Sequence, residues 1–169
     1  MIVLGVDPGL ANTGYGVLAT GARAPGGLAA LDGGVIETPA GLPIERRLAR
    51  LHEAVEALLE EHRPDALAVE ELYFGANARS AFAVGQARGV VLVAAGRRGL
   101  ECSGYTPQQV KGAVCGTGRA DKQQVARMVA TLLGLGGERR PDHATDALAV
   151  AICHANRAPL GRALAGSAA

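Results

Sequence analysis

Apolar positions recur along the chain in two rhythms, and each rhythm predicts its own elements. The run Ile2 to Val6 is continuously apolar and stops at Asp7, Pro8 and Gly9. A short apolar run closed by turn residues reads as a buried strand that carries a carboxylate to its C-terminal edge. Residues 14–20 and about 28–37 suit two further strands, with Gly and Pro at 21–27 marking the turn between them. Together the three strands make an antiparallel meander. From Pro43 to Arg63 the rhythm changes: Ile44, Leu48, Leu51, Val55, Leu58 and Leu59 are spaced by steps of three and four, as on one face of an amphipathic helix. Pro64 ends that helix, and Ala66 to Val69 makes a fourth buried strand ending in Glu70. A helix over about 76–95 and a short strand near Glu101 to Tyr105 follow. Asp121 with Gln124 reads as a capping box opening a helix to about Leu133. Pro141, favoured in a first turn, opens a last helix to about Asn156.

The order βββαβαβαα plus a final helix implies an α/β fold, a mixed five-stranded sheet flanked by helices. Strands one and four become parallel neighbours, joined by the first helix as a crossover, so Asp7 and Glu70 end side by side at one edge of the sheet. A length of 169 residues fits one domain, expected over 1–156, and the Ala, Gly and Ser of 157–169 suggest a flexible C-terminal tail.

Composition adds little until it is divided along the chain. No apolar run approaches the ~18 residues of a membrane span. A strand-like run from Ile2, with no basic region or cleavage site before it, argues against a signal peptide and for a cytoplasmic protein. Cys102, Cys115 and Cys153 lack CxxC spacing, which disfavours disulfides and structural zinc and leaves them as small core residues. The net charge is only +1. Yet residues 1–71 hold eleven acids and five Lys or Arg, a balance of −6, and residues 72–169 hold five acids and twelve Lys or Arg, a balance of +7. An acidic site facing a basic surface has this asymmetry, because binding a polyanion requires local rather than global positive potential.

The chemistry follows from the paired strand ends. Two carboxylates a few ångströms apart repel unless one is protonated or a cation lies between them. His143 and Asp146, at i and i+3 on the last helix, share one face. Three acids and an imidazole, mostly oxygen ligands, suit Mg²⁺ or Mn²⁺ better than zinc. Two such ions roughly 3.5–4 Å apart would polarise a phosphodiester, activate the attacking water and stabilise the leaving oxygen of an in-line displacement.

Four stretches make these residues recognisable as a set. VDPGLANTGYGV (6–17), AVEELYFGANARSAFAVGQARGV (68–90), PQQVKGAVCGTGRADKQQV (107–125) and PDHATDALAVAI (141–152) resemble the RuvC family of Holliday-junction resolvases, in the right order and over about residues 2–156. The resemblance implies an RNase H-like fold, a homodimer, and paired metal-dependent cleavage of opposite strands at a four-way junction that leaves 5′-phosphate and 3′-hydroxyl ends. It also implies two Mg²⁺ per active site, with Mn²⁺ able to substitute, and a RuvA/RuvB-type branch-migration complex as a partner.

By the same resemblance Asp7, Glu70 and Asp146 take the family's acidic catalytic and metal positions. The fourth acidic position falls on His143, a departure from the all-carboxylate pattern that lowers the negative charge and favours Mn²⁺. Asp142 competes for that role but ranks lower, since an acid in a helix's first turn already complements the dipole. Strand alternation lets only one of Glu70 and Glu71 face the site, and the resemblance selects Glu70.

For DNA contacts, Tyr73 matches a position that touches junction bases, with Phe74 adjacent, while one of the pair packs into the core. Lys111 and Lys122 match basic positions, and Arg79, Arg119 and Arg127 are phosphate candidates by charge and location. The segment Cys115 to Arg119 has the flexibility to close over DNA. Gly85 and Gly89, four apart on a helix, allow close backbone approach, either to the sheet or across a two-fold axis. His52, His62 and His154 have no matching partner and receive no role.

Three rival classes share parts of this pattern. DPGLANTGYG also resembles the phosphate loop of actin-like ATPases and sugar kinases, which need two such domains where this chain supplies one. A non-cutting junction-binding module would carry the acidic set at a cost in stability and DNA affinity. Another RNase H-like nuclease, acting on duplex or RNA hybrid, is the closest alternative.

Overall fold

The computed structural model describes residues 1–24, 27–71, 78–136 and 141–166, with the side chains of 78–80 and 158–166 outside the description. The strands are β1 (Ile2–Asp7), β2 (Asn12–Thr20), β3 (Leu28–Glu37), β4 (Ala66–Glu70) and β5 (Cys102–Tyr105). The helices are α1 (Ile44–His62), α2 (Ala78–Arg97), α3 (Pro107–Cys115), α4 (Lys122–Leu132) and α5 (Asp142–Gly166), with a 3₁₀ turn at Gly21–Arg23. The sheet order is β3-β2-β1-β4-β5. β1, β2 and β3 form the antiparallel meander, and β4 joins β1 in parallel, with Val6 opposite Val69. The next residues along the two strands are Asp7 and Glu70, which therefore share one sheet edge.

Strand alternation then decides which acid faces which layer. On β1, Leu4 and Val6 pack with Val17, Leu51, Val55, Leu67, Val69 and Val91 beneath α1 and α2. Val3 joins Leu18, Ala68, Leu148 and Ile152 on the face covered by α3, α4 and α5. Asp7 and Glu70 have the parity of Val3 and Ala68, so they belong to the α5 face.

That face is unusually close to its helix. A Cβ on Gly5 would lie 2.2 Å from the Ala147 carbonyl oxygen, one on Gly14 2.0 Å from the His143 carbonyl oxygen, and one on Gly16 2.7 Å from Leu148 Cγ. Three glycines on β1 and β2 thus form a track into which α5 settles, and Ala144, Ala147 and Ala151 on the helix are fully buried against it. The first turns of α5 are thereby held at the end of β1.

Several local expectations change. α5 continues to Gly166 rather than ending near Asn156; the Ala, Leu and Arg of 157–166 are strong helix formers, which a reading weighted towards Gly and Ser overlooks. α3 is a separate helix, opened by a second capping box between Thr106 and Gln109. Its end uses Gly116 in the left-handed conformation at φ 74, so one glycine of the 115–119 segment serves as a helix cap. Cys153 is buried as expected, but Cys102 is exposed and Cys115 half-buried, and all three thiols are free. No described helix is long and apolar enough to cross a membrane.

Candidate active site

Asp7, His143 and Asp146 each place a potential ligand atom within 4.8 Å of the other two. Asp7 comes from the end of β1, and His143 and Asp146 come from the first turns of α5. The sharpest contact is His143 Nδ1 to Asp7 Oδ2, 2.9 Å. A bare ring nitrogen facing a carboxylate oxygen at that distance would be repulsive, so a proton lies between them.

Glu70 completes the cup. Its carboxyl pKa is pushed up from 4.5 to about 8, first by burial, then by the charge of Asp7 and a hydrogen bond to it, then by Asp146, with Lys122 opposing. Crowding of buried carboxylates thus favours a proton on Glu70. Asp146 is also raised, by burial foremost and by Asp7, against the opposing effects of Lys122 and His143. The donor set is oxygen-rich with one imidazole, and it carries more negative charge than it can keep ionised alone. Both properties fit a hard divalent cation.

Two clefts reach Glu70. One, of about 350 Å³, includes Asp7, Asn12, Glu70, Glu71 and His143 in its wall. The other, of about 210 Å³, includes Glu70, Lys111, Lys122 and Asp146. Lys111 and Lys122 thus line the same cleft as Glu70 and Asp146. Lys122 Nζ lies 3.2 Å from Asp146 Oδ2 and 3.4 Å from Asp142 Oδ2, which makes Asp142 a partner of the lysine. Glu71 lines the first cleft too, with its carboxylate against Gly104, so it is less remote than strand alternation alone implies. Arg119 is exposed on the turn after α3, and Arg127 reaches Gln123 at 3.4 Å and lines a further cleft with Lys122, Asp142 and Asp146. Tyr73 and Phe74 lie outside the described residues, as does the side chain of Arg79.

The three histidines without an assigned role all have partners. His52 pairs with Glu56 at 3.8 Å, His62 with Asp32 at 3.3 Å, and buried His154 meets Tyr105 Oη through Nδ1 at 2.9 Å. Each joins residues that periodicity cannot bring together, except the His52 and Glu56 pair at i and i+4.

The sequence pattern of the family described as Crossover junction endodeoxyribonuclease RuvC matches residues 3–154. The chain belongs to the RuvC family. The crossover junction endodeoxyribonuclease RuvC of Moorella thermoacetica is 53% identical over 159 residues, 94% of this chain and 93% of that protein. Thermus thermophilus RuvC is 42% identical and superposes with a TM-score of 0.87 over 95% of this chain and 97% of its own. The same T. thermophilus protein in complex with a Holliday junction substrate gives 43% identity and a TM-score of 0.88 over 95% and 96%. The mixed five-stranded sheet with its helices is accordingly the RNase H-like fold of RuvC.

Proposed function

We propose that this chain resolves Holliday junctions as a homodimer, hydrolysing opposite strands symmetrically to leave 5′-phosphate and 3′-hydroxyl ends. The observation that carries this reading is the cup of Asp7, His143 and Asp146 within 4.8 Å of one another, with Glu70 coupled to it. These four side chains would hold Mg²⁺, two ions per site, with Mn²⁺ able to substitute. Bound there, the ions supply charge neutralisation at the scissile phosphate and activation of water for in-line attack. Glu70 would complete the acceptor set as its carboxylate. The 2.9 Å contact with Asp7 orients the His143 ring. Lys111 and Lys122, with Arg79 and Arg119 further out, pair with the phosphates that flank the cut. One of Tyr73 and Phe74, which follow Glu70 by three and four residues, stacks on bases unpaired at the crossover, where stacking is worth ~1–3 kcal/mol per base.

A two-fold pair suits two strands of equal polarity. Along α2, Phe82 is 70% and Val93 56% exposed, and Gly89 between them has nothing within 4 Å of a Cβ position. Among the described residues the glycine therefore faces open space, which supports assigning the stripe Phe82, Gly89 and Val93 to the partner subunit. Junction DNA as substrate also places the protein in the bacterial cytoplasm, alongside a RuvA/RuvB-type branch-migration complex.

The test is cleavage of a synthetic four-way junction, a linear duplex and an RNA–DNA hybrid, each with Mg²⁺ or Mn²⁺, with nicks mapped on every strand. Paired nicks at symmetric positions, confined to the junction, are expected. Preferential cutting of hybrid or duplex would replace the resolvase reading with another RNase H-like nuclease. Asp7→Asn should abolish cutting while junction binding persists; near wild-type cutting would remove Asp7 from the chemistry.

A further inference from the structure

Lys122 occupies an odd place for a lysine. It is the first residue of α4, whose Asp121 and Gln124 capping box fixes the first turn, and that turn contains no acid. A cation there opposes the helix dipole, which favours negative charge at the N-terminus, so helix stability does not account for the residue. Its ammonium instead points across to α5, where it bridges Asp146 at 3.2 Å and Asp142 at 3.4 Å. Asp146 is one of the three residues whose ligand atoms cluster. The same charge reaches Glu70, where it opposes the rise in pKa.

We propose that Lys122 is a displaceable internal counter-ion that competes with a divalent cation for the Asp146 carboxylate and is released to a DNA phosphate when the substrate enters. The inference rests on the cup being a divalent-cation site and extends it to how the site is loaded. Two positive centres cannot share one carboxylate at close range without mutual repulsion, so the lysine must leave, at least in part, for a cation to bind. The contact suits that exchange. The lysine side chain is 59% exposed, and solvent screening keeps such ion pairs easy to exchange. Lysine's flexible four-carbon stem lets the ammonium swing without moving the helix. Asp142, 72% exposed, stays outside the cup as a second anchor, which gives that acid a purpose other than ligation. A phosphate arriving over the cup offers a third anchor, at a moment when the cup must accept charge. Because such coupling is reciprocal, metal loading frees Lys122 for DNA as much as DNA frees Asp146 for metal.

The first experiment needs no DNA. Mn²⁺ binding to the DNA-free protein is titrated by electron paramagnetic resonance for wild type, Lys122→Met and Lys111→Met. Lys111 lines the same cleft without an ion pair to the cup among the described residues, so it controls for the general loss of a positive charge. Lys122→Met should tighten Mn²⁺ by ~10-fold, and Lys111→Met by less than ~3-fold, since the direct contact is far stronger than the distant field. Equal or weaker Mn²⁺ binding by Lys122→Met overturns the proposal. If neither wild type nor variants bind Mn²⁺, the cup is not a cation site and the underlying reading fails first. The second experiment measures junction binding with and without Ca²⁺, an oxygen-seeking ion. Ca²⁺ should strengthen wild-type binding more than binding by Lys122→Met, and the same gain in both would refute the coupling.

Discussion

Gly14 offers the most direct physical test of how the site is assembled. It sits on β2 opposite Asp7 in the β1–β2 ladder, and a Cβ there would fall 2.0 Å from the His143 carbonyl oxygen and 2.5 Å from its carbon. Ordinary contact lies at 3.4–4 Å, so Gly14→Ala must push the start of α5 outward by more than ~1 Å, as rigid, close-packed interiors require. His143 would lose its 2.9 Å contact with Asp7, and Asp146, one turn further on, would retreat with it. Overpacking of this kind costs ~1–3 kcal/mol, and for a chain of this size each kcal/mol lowers Tm by ~2–4 °C. The catalytic penalty should exceed the stability penalty, because a 1 Å misplacement of reacting groups costs ~100-fold in rate. Single-turnover junction cleavage, junction binding and thermal melting are measured together. The expected result is a folded protein that melts a few degrees lower, binds the junction and cleaves it ~100-fold more slowly. Gly112→Ala is the control: this α3 glycine has nothing within 4 Å of its Cβ position, so melting should hold or rise, as for Gly to Ala in a helix, with cleavage intact. A Gly14→Ala protein that cleaves at the wild-type rate would refute the idea that close seating of α5 builds the cup.

Three further outcomes follow from the site. Glu70 titrates at about 8 in the folded protein against 4.5 when free, so the folded state keeps a proton that the unfolded chain loses. Its contribution to metal-free stability is therefore fully present below pH 4.5 and is lost as pH rises through about 8; melting curves of wild type and Glu70→Gln across that window should diverge by this fall, and an identical pH slope in the two would assign it elsewhere. His143→Asp should keep junction cleavage and improve it in Mg²⁺ relative to Mn²⁺, because a fourth carboxylate suits a hard ion; complete loss would mean that the shared proton on the ring is essential. Lys111→Ala should weaken junction binding and lower the slope of log Kd against log salt by ~1, whereas an unchanged slope would exclude a phosphate contact.

The sheet was legible because its information is local. Apolar runs ending at Asp7 and Glu70, the three-and-four spacing of α1 and the Asp121 capping box each lie within a few neighbouring residues, and the parallel pairing of β1 with β4 follows from one crossover helix. The remainder divides into one overlooked local signal and several through-space contacts. The bounds of α3 rest on a second capping box at Thr106, hidden inside a stretch read for its lysines. The pairing of His62 with Asp32 and of His154 with Tyr105 joins residues 30 and 49 apart. Asp7 and Glu70 stood out as strand ends, and His143 and Asp146 by their i, i+3 spacing and the family resemblance, but the rise at Glu70 was not legible because it depends on burial and on through-space distances to Asp7 and Asp146.

The glycines explain why the acids alone would not make this site. Carboxylates at strand ends are common and normally sit a helix-packing distance from whatever covers the sheet, with side chains filling the gap. Here the gap is removed: Gly5, Gly14 and Gly16 leave no Cβ under α5, and Ala144, Ala147 and Ala151 leave little on the helix side. The helix therefore descends until its first turn is within hydrogen-bonding reach of Asp7, at 2.9 Å, and an imidazole and a carboxylate from residues 143 and 146 enter a cup begun at residue 7. The small residues set the distance and the acids set the charge. A divalent site needs both, since the same four side chains spread a few ångströms wider would repel less, hold no shared proton and bind no ion tightly.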